Sequence, residues 1–160
     1  MKMKELVLAT VLVLTASVSL AKQDLIVPLV VPNKDLQVFT RMSEIRANLD
    51  NYRLNRLIHL RIWTVFKTAQ ASKRFKKIMA ERYYGGGATI NNADYKTVVD
   101  TYEFMYGAMF GKAVHMSGYD KQGKIIADGD AADTFGLQDN GPVASILKQI
   151  RAIFERLDHE

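Results

Sequence analysis

The 160-residue chain contains no cysteine. That absence excludes a disulfide framework, a thiol nucleophile, cysteine-ligated zinc, iron–sulfur clusters, covalent haem attachment and a lipoprotein anchor. Several catalytic signatures are also missing. There is no HExxH or HxxxH pair among His59, His115 and His159, no GxSxG, and no P-loop Lys-Ser/Thr after Gly85-Gly86-Gly87. The acidic run from Asp120 to Asp139 does not place oxygen ligands at the positions an EF-hand loop needs. No cofactor and no metal are therefore expected.

One segment stands out for being uncharged. Lys2 and Lys4 precede Leu6–Leu20, which carries no charge, and Ser19-Leu20-Ala21 follows the small-x-small pattern. A basic start, a short apolar core and a small-residue exit predict a secretory signal peptide over residues 1–21, cleaved near Ala21. Fifteen residues of helix reach only about 22 Å, short of the roughly 30 Å hydrocarbon core. The expected product is a single helix-rich α+β domain over residues 22–160, in the periplasm or outside the cell, where nucleic acid is not an expected partner.

Hydrophobic spacing then predicts the elements. Leu25–Val31 is apolar and β-branched, and Pro28 marks it as an edge strand or arm. Asn33 is positioned to cap a helix carrying Leu36, Phe39, Met42, Ile45 and Leu49 on one face. Leu54, Ile58, Ile62, Val65 and Ala69 extend a helical stripe that runs from Tyr52 to Tyr84. Tyr95, Val98, Val99, Tyr102, Met105, Tyr106 and Met109 predict a central amphipathic helix. Asp120-Lys121-Gln122-Gly123 predicts the turn of a small antiparallel β-hairpin. Residues 128–140 read as a loop, and Pro142 opens a C-terminal helix with Val143, Ile146, Leu147, Ile150, Phe154 and Leu157 inside. The expected fold is α+β and predominantly helical.

Charge is segregated. Residues 46–82 hold ten basic and two acidic side chains, a balance of +8; residues 83–140 hold four basic and eight acidic, a balance of −4. The basic segment predicts a helix aimed at an anionic surface, with Arg61, Trp63, Lys67, Lys73, Arg74, Lys76 and Lys77 as the contact residues. The function expected first is a non-enzymatic binding or accessory protein. Its partner would be an envelope protein, an anionic membrane surface or a glycan, with a homo-oligomer as a further possibility. The arm at residues 25–31 would add a strand to a partner sheet.

Two other readings follow from local features. Glu81-Arg82-Tyr83-Tyr84-Gly85 is similar to the helix-ending glutamate of lysozyme-like proteins, which implies a small cell-wall glycan hydrolase with Glu81 as the acid. Gly118-Tyr119-Asp120-Lys121-Gln122-Gly123-Lys124-Ile125-Ile126 resembles hairpins of PAS/Cache-type sensor domains, which implies a small-ligand sensor or carrier. A Ser–His–Asp set can also be assembled around the hairpin from Ser117, His115 and either Asp120 or Asp128.

Overall fold

The computed structural model describes residues 24–82 and 94–160, without the side chains of residues 78–82. Among them, β1 (Ile26–Leu29) and β2 (Leu36–Arg41) precede two short helices, α1 (Met42–Ala47) and α2 (Leu49–Arg53). Then come β3 (Ile58–Phe66), α3 (Ala69–Arg82), β4 (Thr97–Phe104), β5 (Phe110–Tyr119), β6 (Ile125–Asp130), β7 (Thr134–Gly136) and α4 (Pro142–Asp158). The strands form one antiparallel sheet ordered β1-β2-β3-β4-β5-β6, with β7 also on β5. The expected predominantly helical fold is thus overturned: the chain is built on a seven-stranded sheet with four helices among the described residues.

The difference has a physical source. A spacing of four lies on one face of a helix, but it is also even and lies on one face of a strand. Ile58 and Ile62 satisfy both patterns. Leu60 between them decides the matter, because Ile58, Leu60 and Ile62 are buried while His59 and Arg61 are exposed. β4 hides its period differently. Its inward row is Val98, Asp100, Tyr102 and Phe104, as their partners across the ladder show, so a carboxylate interrupts the apolar alternation. Asn33 does not cap a helix. Its side-chain oxygen accepts the Asp35 N–H at 2.9 Å and shapes the turn into β2.

The 120–123 turn joins β5 to β6. The Asp120 carboxylate accepts the N–H groups of Gln122 and Lys124 at 2.9 Å each, and Gly123 takes the positive φ of 78° that the turn requires. The stretch read as loop after Asp128 continues as β6 and, after Ala131–Asp133, as β7, both on β5.

Both cores lie on one face of the sheet. Near one end, α4 covers Leu29, Val38, Ile58, Leu60, Ile62 and Phe104 with Leu147, Ile150, Ile153 and Phe154. Toward the other end, Ala71 and Phe75 of α3 join Phe66, Tyr95, Val98, Met116 and Ala127. The opposite face contributes to neither core. Its side chains meet their cross-strand neighbours, with Phe39 stacked on Trp63 at 5.8 Å.

The β1 edge is guarded. Pro28 lacks a donor, and the Gln149 carboxamide of α4 occupies the Val30 backbone. Gln149 accepts the Val30 N–H and donates to its carbonyl, each at 2.8 Å. A missing donor and a capped peptide blunt an edge against strand addition. Val30 itself remains 79% exposed.

Candidate functional site

Seven residues were expected to form one basic helix surface. The structure divides them. Arg61 and Trp63 are on β3, and Lys67 follows it, so none of the three is helical. Lys73, Arg74, Lys76 and Lys77 are on α3.

The strand pair is already internally matched. The Arg61 guanidinium donates to Glu44 of α1 through Nε at 2.8 Å and through a second nitrogen. It also lies 5.3 Å from the Trp63 ring centre, with Arg41 at 5.0 Å from the same ring. Arg41 in turn reaches Asp24 at 3.8 Å. Trp63 thus lies against two arginines, each of which has a carboxylate at hand. Lys76 is likewise spoken for, 3.1 Å from Asp94.

Lys73, Arg74 and Lys77 differ. They are exposed, and none has an ion-pair partner among the described residues. With Gln70 they occupy positions i, i+3, i+4 and i+7, one stripe of α3. The apolar side of the helix fixes where that stripe points. Thr68 Oγ1 accepts the Ala71 N–H at 3.2 Å and starts the helix. Ala71 is buried, and Phe75 packs on Tyr95 at 5.4 Å and on Phe66 at 5.1 Å. The cationic stripe then faces the β1–β2 turn across a groove of about 630 Å³, with Asn33 and Asp35 on the far side. Like charges at i, i+3 and i+4 disfavour a helix by a few tenths of a kcal/mol per pair.

The turn side is held by its backbone. The Leu36 N–H donates to the Asn33 carbonyl at 3.1 Å, and the Lys67 N–H donates to the Asp35 carbonyl at 2.8 Å. These bonds tie the turn to the start of α3. They leave the Asp35 carboxylate without a hydrogen bond or ion pair among the described residues.

The Ser117–His115–Asp128 set does converge on the open sheet face. Residues 115 and 117 are two apart and so share a face, and β6 pairs alongside. His115 Nε2 lies 2.9 Å from Asp128 Oδ1, and His115 Nδ1 lies 3.4 Å from Asp130. The Ser117 hydroxyl, however, donates to that same Asp128 oxygen at 2.6 Å, while the imidazole is 3.3 Å away. A serine nucleophile needs its proton aimed at the base, and here the carboxylate holds it. The cluster is an exposed charge network. The bond to Asp128 raises the His115 pKa, and the Ser117 hydroxyl lowers that of Asp128. The Asp128 contribution to stability is lost as pH falls through its lowered value. The His115 contribution is full below its unfolded value near 6.5 and is lost as pH rises through the raised one.

Asp100 is the most perturbed carboxyl. It sits on the covered face between Ile62 of β3 and Met116 of β5. Burial first, and the Asp133 charge second, push its pKa up to about 7.

Glu81 belongs to α3, and its side chain lies outside the described ones, as do residues 83–93. Among the described residues, no three His, Asp or Glu side chains converge to hold a metal ion, and no helix is long and apolar enough to cross a membrane. A smaller, apolar groove of about 250 Å³ lies at the β4–β5 end, with the exposed Leu57 and Phe110 among its lining. Compared with protein-family models, curated proteins and solved structures, the chain matches none.

Proposed function

We propose that this chain is an exported, non-enzymatic binding protein whose contact with an anionic envelope surface is the groove between α3 and the β1–β2 turn. The observation that carries the reading is that Lys73, Arg74 and Lys77, three cations on one stripe beside a groove of about 630 Å³, have no ion-pair partner among the described residues. Arg41, Arg61 and Lys76 each have a carboxylate at hand. Cations without a partner among the described residues, on a helix that packs through Ala71 and Phe75, give a surface potential that draws an anion in and weakens with salt. The leader-like residues 1–21 supply the export part of the proposal.

The test is flotation of the purified protein with vesicles containing anionic lipid. Each cation near such a surface contributes about 1 kcal/mol, so the triple variant Lys73→Gln, Arg74→Gln, Lys77→Gln is expected to bind about 100-fold more weakly. Lys76→Gln and Arg61→Gln, whose charges are already paired, are expected to change binding less than about threefold. Unchanged binding by the triple variant removes the groove from the account. An equal loss with Arg61→Gln moves the contact to the open sheet face.

A further inference from the structure

The groove contains one feature that a purely cationic surface does not need. Asp35 lines it opposite Lys73, Arg74 and Lys77, and its carboxylate forms no ion pair with any of them. Its backbone is fixed at both polar groups, by Asn33 and by Lys67, so the turn holds it in place. Opposite charges thus line the two sides of one open groove without pairing. A ligand that suits this arrangement presents negative oxygens to the α3 stripe and a hydrogen-bond donor to Asp35.

Resting on the anion-groove reading above, we infer that the groove selects a terminal phosphate that keeps a proton, with Asp35 accepting a hydrogen bond from its P–OH. The chemistry of oxyanions makes this a discriminating contact. Inorganic phosphate carries at least one O–H throughout the neutral range, and a phosphate monoester, with a second pKa of about 6, carries one in mildly acidic solution. Sulfate and phosphate diesters carry none. Against those anions the Asp35 carboxylate meets a bare oxygen, and two acceptors facing each other repel. Lys73, Arg74 and Lys77 bring the net charge of the lining to +2 after Asp35 is subtracted, enough to hold a singly or doubly charged phosphate. Gln70 lies on the same stripe, and Asn33 lies beside Asp35; each has a carboxamide N–H₂ available for the remaining oxygens.

The experiment is titration calorimetry of the purified protein at pH 6 with inorganic phosphate and with sulfate. Parallel flotation uses vesicles of phosphatidic acid, a monoester, and of phosphatidylglycerol, a diester. Phosphate over sulfate, or monoester over diester, is expected to bind at least about tenfold more tightly. Which pair shows the preference tells whether the phosphate is free or lipid-borne. Asp35→Asn and Asp35→Ser are expected to level that preference to within about twofold while retaining phosphate binding. The side chain has no partner to lose among the described residues, and circular dichroism of both variants checks that the fold is kept. Equal binding of sulfate and phosphate, or a preference that survives in both variants, overturns the inference and leaves the anion groove standing. Absence of binding to every anion overturns the groove itself.

Discussion

Phe154→Ala is expected to lower stability by about 4 kcal/mol and the melting temperature by roughly 8–16 °C. Phe154 has no solvent exposure. Its ring stacks on Tyr52 of α2 at 4.8 Å and meets Tyr106 edge-on at 6.3 Å. It shares one core with Ile45, Ile58, Leu60 and Phe104, the core through which α4 and α2 pack on the sheet. The neighbours cannot close the gap by rotamer changes alone, because Tyr106 is anchored by its hydroxyl, which donates to the Leu147 carbonyl at 2.8 Å. A cavity therefore remains and adds to the lost transfer energy. Urea unfolding measures the effect. A loss below about 1 kcal/mol would mean that α4 does not pack on this face.

Asp100→Asn is expected to do the opposite, and only at high pH. With a folded-state pKa raised to about 7 from 3.8, Asp100 favours the fold only while it is protonated. That contribution is complete below about pH 4, fades as pH rises toward 7, and is absent above it. Ionised, the side chain lies between Ile62 and Met116 with the Asp133 charge nearby. A shift of three pH units corresponds to about 4 kcal/mol, and a buried amide keeps part of the desolvation cost. The variant is thus expected to be about 2 kcal/mol more stable than the parent at pH 8 and nearly equal at pH 4. A gain of the same size at both values, or a loss at pH 8, would show that Asp100 does not carry this charge penalty.

These two residues also explain what could be read from the residues alone. The C-terminal helix was legible because Pro142 starts it and its apolar positions keep a 3.6-residue period up to Leu157. The turn at 120–123 was legible because Asp and Gly have specific backbone roles there. β1 was legible through Pro28 and its β-branched neighbours. β3 and β4 were not, because spacings of four are shared by both periods and because Asp100 occupies an inward position. At the candidate site, the density of cations was visible in the sequence. Which cations remain unpaired was not, since Glu44, Asp24 and Asp94 reach Arg61, Arg41 and Lys76 only through the folded chain. Asp35 carried no signal of a binding site. Its proposed role depends on a turn that brings it across from α3, 38 residues from Lys73 in sequence.

The central claim is that ligand enters between α3 and the β1–β2 turn and nowhere on the open sheet face. The most direct measurement is a ¹⁵N–¹H correlation spectrum of the full chain, titrated with inorganic phosphate at pH 6. Saturable shifts are expected at Asn33, Asp35, Gln70, Lys73, Arg74 and Lys77, with the Trp63 indole N–H and the His115 amide unmoved. Shifts centred on Trp63, Arg41 and Arg61, or a spectrum that phosphate leaves unchanged, would contradict it.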